Sequence, residues 1–180
     1  MRVGETERLM QRGFFLDLTR CTSCYACVVA CKAIHAISED GVYFRRVFTL
    51  EKGSYPQVQL TNLSLACMHC GIPFCREVCP TKAIYKRMED GLVIVDPERC
   101  IGCKMCMTAC PFGIPQFGGD GKMKKCDFCL DRLEKGLNPV CVNVCPTRAL
   151  HSGTLDELSS LAAQKSARRL YQKTDPSFFI

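Results

Sequence analysis

Tryptophan is absent from this 180-residue chain, and histidine occurs three times. No apolar run approaches the roughly 18 residues that a membrane-spanning helix needs. Residues 1–13 are charged and hold no apolar stretch, so they do not read as a secretory signal, and a secreted disulfide scaffold loses its main support. No basic run interleaved with aromatics is present, so nucleic acid is not an expected partner. A nucleophile–base pair, a phosphate loop and a dinucleotide fingerprint are all missing. Bond-making chemistry therefore has no visible seat in this sequence.

What the chain has instead is cysteine: sixteen, about one residue in eleven. They fall into four groups: Cys21 to Cys31, Cys67 to Cys79, Cys100 to Cys110 and Cys126 to Cys145. The tightest is Cys100-Ile101-Gly102-Cys103-Lys104-Met105-Cys106-Met107-Thr108-Ala109-Cys110-Pro111. Three cysteines at every third position, a fourth four residues later and then proline is the spacing of a bacterial-type 4Fe–4S ferredoxin loop. Zinc sites usually take paired C-x-x-C units and fit this spacing poorly. The formal charge of +6 treats cysteine as neutral. Four oxidised clusters would add roughly −8, so the basic excess reads as compensation for buried cluster charge.

Read in order, residues 1–13 form an N-terminal extension, either a loosely held terminus or a docking arm. A strand over Phe14 to Leu18 leads through Asp17 and Arg20 to Cys21. The same lead-in recurs as Val93 to Val95, Asp96, Arg99 and Cys100. Alternating runs at Val42 to Leu50 and Gln57 to Leu63 predict a hairpin inserted over 35–66, lying over a cluster face or against a partner. Ile84 to Arg87 and Leu92 to Val95 flank a tight turn at Glu89-Asp90-Gly91. The endings Pro80-Thr81-Lys82-Ala83-Ile84 and Pro146-Thr147-Arg148-Ala149-Leu150 repeat each other. Thr154-Leu155-Asp156-Glu157 is a capping box that predicts a helix over 155–172, with Leu155, Leu158, Leu161 and Ala162 inward. The apolar tail Asp175 to Ile180 packs on this domain or plugs into a partner.

The expected fold is α+β: two fused bacterial-type ferredoxin-like modules, an inserted β-hairpin and a C-terminal helix. Residues 14–34 with 120–153 form the outer module, 67–119 the inner module, and 154–180 the C-terminal helix and tail. In two-cluster ferredoxins the fourth cysteine of one unit ligates the other unit's cluster. The short connection between the second and third units pairs those two and leaves the first with the fourth. The expected ligand sets are Cys21, Cys24, Cys27 and Cys145; Cys126, Cys129, Cys141 and Cys31; Cys67, Cys70, Cys75 and Cys110; and Cys100, Cys103, Cys106 and Cys79. His35, His69 and His151 lie near these motifs, with structural or tuning roles expected because cysteine fills every ligand slot. Lys32, Lys82, Lys104 and Arg148 are candidate electrostatic tuners of cluster potential.

Over roughly residues 14–158 the chain resembles the electron-transfer (four-cluster, B-type) subunit of the dimethyl sulfoxide reductase family of molybdoenzymes. The resemblance rests on the order of the four groups, on Cys-Ile-Gly-Cys-x-x-Cys-x-x-Ala-Cys-Pro-Phe-Gly at 100–113, and on Lys-Cys-Asp-x-Cys-x-Asp-Arg at 125–132 with Gly-x-x-Pro-Val-Cys at 136–141. It implies four 4Fe–4S clusters, Cys103 being cysteine where some relatives carry another residue and a three-iron cluster. It also implies a molybdenum- or tungsten-pterin catalytic subunit as partner. The external redox partner would be a membrane quinone-reactive subunit, a flavoprotein or a ferredoxin. Service in a tungsten aldehyde oxidoreductase-type or hydrogenase–formate complex, and life as a free polyferredoxin, are the alternatives. Respiratory formate dehydrogenase relatives carry a C-terminal membrane helix that this sequence does not show. A cytoplasmic location is expected, or a periplasmic or membrane-associated one reached through a partner.

Overall fold

The two Asp-x-x-Arg-Cys lead-ins fold alike, and each strand ahead of one cysteine loop pairs with the strand that leaves another. In the computed structural model, which describes residues 11–164 and 178–179, the elements follow in this order. The first part runs β1 (Arg12–Leu16), α1 (Ala26–Ile34), β2 (Arg46–Ser54), β3 (Gln57–Leu65), α2 (Phe74–Glu77), β4 (Ile84–Lys86) and β5 (Val93–Val95). Then come α3 (Met105–Ala109), β6 (Gln116–Phe117), β7 (Met123–Lys124), α4 (Leu130–Leu133), α5 (Val140–Asn143), β8 (Leu150–Thr154), α6 (Leu155–Gln164) and β9 (Phe178–Phe179).

β1 runs antiparallel to β8 with Leu16 opposite Leu150, and β5 runs antiparallel to β4 with Val95 opposite Ile84. The registers are equivalent. Leu16 and Val95 each lie five residues before the first cysteine of a loop, and Leu150 and Ile84 each lie five after the last cysteine of another. The next backbone bond repeats as well: Asp17 N–H donates to the Ala149 carbonyl and Asp96 N–H to the Ala83 carbonyl, both at 2.8 Å. Each aspartate then turns the chain, its Oδ1 accepting from the amide two residues on, Thr19 at 3.0 Å and Glu98 at 2.9 Å. The helical turns match too, α1 packing on α5 and α2 on α3. One module is thus nested inside the other: the inner uses consecutive chain, and the outer is closed from the two ends of the described region.

Strand alternation divides the interior. Phe14 and Leu16 face a large core that holds Cys27, Cys67, Cys126, Cys141, Leu92, Ile94 and Phe128, whereas Phe15 turns to Leu155, Leu158 and Ala162 of α6. Val93 takes the opposite face of β5 from Leu92 and Ile94, and packs with Ile84, Cys106 and Met123. Phe128 joins the modules, its ring 4.4 Å from that of Phe14 and edge-on to His69 at 5.4 Å. Gln11 pins the modules together: its side-chain amide donates to the carbonyls of His69 and Gly91 at 3.0 Å, and its own backbone carbonyl accepts from Leu155 N–H at 2.8 Å.

The β2–β3 hairpin begins and ends later than alternation suggests. Val42 is buried outside any strand, Tyr43 is held by both polar atoms of the Gln116 side chain, and pairing starts at Arg46 opposite Leu65. The paired strands therefore run through Lys52 and Gly53 to a turn at Tyr55-Pro56. Phe48, Leu50, Tyr55, Val58 and Leu60 are exposed along the hairpin. Helix α6 opens on a reciprocal capping box: Thr154 N–H donates to Glu157 Oε2 at 2.8 Å, and Glu157 N–H to Thr154 Oγ1 at 3.4 Å. Of the tail, Phe178 and Phe179 pair in parallel with Phe14 and Phe15 of β1. The rest of the tail, helix positions 165–172 and residues 1–10 of the N-terminal extension lie outside the described residues. Among the described residues no helix is long and apolar enough to cross a membrane.

Candidate iron–sulfur sites

Three small cavities of nearly equal size are each lined by four cysteines. One gathers Cys67, Cys70 and Cys75 with Cys110. A second gathers Cys100, Cys103 and Cys106 with Cys79. A third gathers Cys21, Cys24 and Cys27 with Cys145. The remaining four also meet, since Cys31 is close enough to Cys141, Cys129 and Cys126 for the thiols to perturb one another. Each group therefore combines three cysteines of one sequence unit with the last cysteine of another.

The loops are shaped by left-handed residues. The second position after the first cysteine has positive φ in all four units: Ser23 at 56°, His69 at 41°, Gly102 at 70° and Phe128 at 67°. For a non-glycine residue this conformation costs about 1–2 kcal/mol. In the fourth unit it turns the residue's own peptide N–H toward the first sulfur. Phe128 N–H donates to Cys126 Sγ at 3.4 Å. Glycine stands at 102 for a separate reason: a Cβ there would lie 2.4 Å from the Gly121 carbonyl oxygen. Gly121 belongs to the turn of the β6–β7 hairpin, which covers the same cavity through Phe117 and Met123, and Met123 N–H donates to Cys100 Sγ at 3.3 Å.

The two Cys-Pro-Thr endings are alike in chemistry as well as sequence. Thr81 Oγ1 lies 3.7 Å from Cys79 Sγ, and Thr147 Oγ1 lies 3.8 Å from Cys145 Sγ. Lys82 and Arg148 adopt φ of 54° and 51° to bring the following amides round, and Ala149 N–H reaches Cys145 Sγ at 3.2 Å. Burial raises both thiol pKa values. The backbone amides and the threonine hydroxyl outweigh it and hold Cys79 and Cys145 below the ordinary thiol range. The buried members of the groups go the other way. Burial, reinforced by neighbouring thiols, pushes Cys31 and Cys75 up to about 12 and Cys106 up to about 11. Cys129 also rises to about 11, burial and Cys141 outweighing the Val140 amide. Four converging thiols that oppose one another's ionisation are stable as thiolates only around bound cations. A 4Fe–4S core meets that requirement, and it supplies one-electron redox chemistry when bound.

The histidines sit as supports. His35 Nε2 is 3.5 Å from both Cys129 Sγ and Asp127 Oδ1, and its ring rests 5.1 Å from Phe44. His69 is wholly buried, with Nδ1 accepting from Val93 N–H at 3.1 Å. Burial, then the nearby Lys125, pushes its pKa well below the ordinary value, so the ring is neutral. His151 stacks on Phe15 at 5.6 Å. Of the four cations singled out from sequence, Lys82, Lys104 and Arg148 are solvent-exposed and Lys32 lies half-buried over the Tyr43 ring. The cations that reach the interior are others. Lys125 is buried beside the Cys67–Cys110 cavity, with Nζ donating to the carbonyls of Val93 and Cys126. Arg45 is buried against Phe14 and Ser64. Lys125 stands in the 125–132 motif, where its position was legible and its burial was not. Arg45 carries no sequence signal, because a charged residue at the mouth of an alternating strand reads as surface.

Cysteine groups closed crosswise in this way define an iron–sulfur protein of the ferredoxin-like class. Two protein-family models, each described as a 4Fe-4S dicluster domain, match residues 58–155 and 20–84. The chain is 45% identical over 157 residues to the B subunit of the anaerobic dimethyl sulfoxide reductase of Escherichia coli, covering 82% of this chain and 76% of that protein. It is 39% identical to the formate dehydrogenase iron-sulfur subunit of Wolinella succinogenes over 179 residues, 87% of this chain and 88% of that one. It is 44% identical to the thiosulfate reductase electron transfer subunit of Salmonella typhi, over 78% of this chain and 74% of that one. The chain belongs to this family, the B-type iron–sulfur subunits of the dimethyl sulfoxide reductase family of molybdoenzymes. One matched segment holds the second, third and fourth cysteine units and the other the first and second.

Proposed function

We propose that this chain relays single electrons through four 4Fe–4S clusters, between a molybdenum- or tungsten-pterin catalytic subunit and an external redox partner, and catalyses no bond chemistry itself. The observation that carries this reading is the gathering of all sixteen cysteines into four crosswise sets. The ligand sets are Cys21, Cys24, Cys27 and Cys145; Cys31, Cys126, Cys129 and Cys141; Cys67, Cys70, Cys75 and Cys110; and Cys79, Cys100, Cys103 and Cys106. Exchange of the fourth ligand holds the clusters of a module close enough for electrons to pass between them.

The catalytic partner is supported by what the relatives are named for, reductases of dimethyl sulfoxide and thiosulfate and a formate dehydrogenase. The formate dehydrogenase subunit matches along most of its own length, which favours a formate-linked complex as the second reading. The outer module spans 14–34 and 120–153, the inner 67–119, and the 35–66 insertion presents its exposed apolar hairpin to a partner. On the far side the relay serves a quinone-reactive membrane subunit, a flavoprotein or a ferredoxin. The chain works where its catalytic partner works, on the cytoplasmic side or across the membrane with that partner.

Anaerobic purification from native cells tests the reading. The expected preparation is a hetero-oligomer with about sixteen irons and sixteen sulfides per copy of this chain, visible absorption that bleaches with dithionite, and molybdenum or tungsten. A zinc-loaded chain, or an iron-loaded chain purified alone without a catalytic partner, overturns it.

A further inference from the structure

Arg45 is 1% exposed, among the most completely buried of the large side chains, and no carboxylate pairs with it among the described residues. Its Nη1 donates to Ser64 twice, to the carbonyl and to Oγ, both at 3.1 Å. Ser64 Oγ in turn lies 3.4 Å from Cys27 Sγ. The guanidinium carbon sits 4.7 Å from the centre of the Phe14 ring. Nη2 is buried with no hydrogen-bond partner among the described residues.

An isolated buried cation costs several kcal/mol, and leaving one of its donors unsatisfied adds to that. A fold keeps such a group only where negative charge meets it. The groups facing Arg45 are thiols of both outer sites: Cys27 of the first, and Cys141, Cys126 and Cys31 of the second. Burial opposes its charge, and negative charge on these four sulfurs favours it. With clusters, each site carries about −2 oxidised and about −3 after taking up one electron.

We propose that Arg45 is the shared buried counter-cation of the two outer clusters, Nη1 acting through Ser64 on the Cys27 side and Nη2 donating to sulfur of the Cys31, Cys126, Cys129 and Cys141 site, and that it raises both reduction potentials. Each reduction adds one electron, supplied by the neighbouring cluster or the external partner, and the fixed guanidinium favours the added charge. Arg45 is a positioning and tuning residue that ligates no iron. The effect is local: Lys104 and Arg148, beside cysteines but exposed, are screened by water and salt.

This inference rests on the four-cluster reading, and the test separates the two. Redox titrations of the anaerobically purified complex, followed by electron paramagnetic resonance, are compared for wild type, Arg45→Gln, Arg45→Lys and the exposed control Lys104→Met. Cys24→Ser and Cys129→Ser assign the outer components. About sixteen irons and four titrating components in wild type support the reading alone, and their absence overturns both. In Arg45→Gln the two outer clusters should become at least tenfold harder to reduce at a given potential, a fall of about 59 mV or more. The inner pair should shift less than threefold, Lys104→Met should leave the outer pair within threefold, and Arg45→Lys should recover most of the loss. A fully loaded Arg45→Gln with unchanged outer potentials overturns the proposal, as does an equal fall in all four clusters. If Arg45→Gln does not load, Arg45→Lys decides: loading with near wild-type outer potentials supports the role of charge, and failure to load overturns it.

Discussion

Asp17 donates its backbone N–H to the carbonyl of Ala149 at 2.8 Å, although most of the described chain lies between them. The bond closes the outer module where Asp96 and Ala83 close the inner one. Asp17 is buried, and its Oδ1 accepts from both the amide and the hydroxyl of Thr19, at 3.0 and 2.6 Å. Asp17→Ala should therefore destabilise the loaded chain by about 1–3 kcal/mol in denaturant titrations, chiefly by loosening the loop that carries Cys21. Asp96→Ala, at a half-buried site with one such bond, should cost less, about 1 kcal/mol.

The crosswise grouping predicts which variants share a phenotype. Cys79→Ser should perturb the same paramagnetic signal as Cys103→Ser, and Cys110→Ser the same signal as Cys70→Ser. If Cys79→Ser instead changed the signal altered by Cys70→Ser, the sequence-contiguous assignment would hold and the exchange would be wrong.

Much of this was legible because cysteine spacing is a covalent constraint that leaves few solutions. The repeated Asp-x-x-Arg-Cys lead-in and Pro-Thr-basic-Ala ending reported the two-fold repeat before any fold was known. The hairpin shows where pattern reading loses register. Val42 alternates like a strand residue, yet it is buried in a turn, and the Gln116 side chain supplies the hydrogen bonds that a strand would have given Tyr43. The β1–β9 pairing involves two residues from a remote segment, too short to leave a periodic trace. Arg45 and Lys125 escaped because local sequence reports charge and does not report burial.

Gly102→Ala should be costly where Ser23→Gly is not. The alanine must hold φ near 70° and place Cβ against the Gly121 carbonyl, for a combined loss of at least about 2 kcal/mol. Ser23→Gly removes a left-handed serine and should fall within about 0.5 kcal/mol of wild type or above it. Iron content per chain after mild heating is the measurement, with Gly102→Ala losing one cluster first.

The raised thiols set the pH behaviour of the metal-free, reduced chain. Folded Cys31, Cys75, Cys106 and Cys129 keep their protons up to about 11 or 12, whereas an unfolded thiol releases its proton near 8.5. Above that lower value the unfolded chain binds fewer protons than the folded one, so stability is full below about pH 8.5 and declines toward pH 12. Circular dichroism across pH 7–11 should show metal-free tertiary structure weakening from about pH 9. Reconstitution with ferrous iron and sulfide should release protons, and it should become more favourable between pH 7 and 9.

The nested arrangement also gives the protein a direction in time. Proteins are made from the amino end, and segments fold as they become complete. The cavity that receives Cys67, Cys70, Cys75 and Cys110 has all its cysteines once residue 110 has been made, and the one bounded by Cys79 and Cys106 is finished even sooner. Cys21, Cys24 and Cys27 are synthesised first of all, and their cavity still lacks Cys145 until nearly the whole described chain has followed. The earliest cysteines to emerge are thus among the last to be enclosed, and they are the ones a nascent chain must keep reduced for longest.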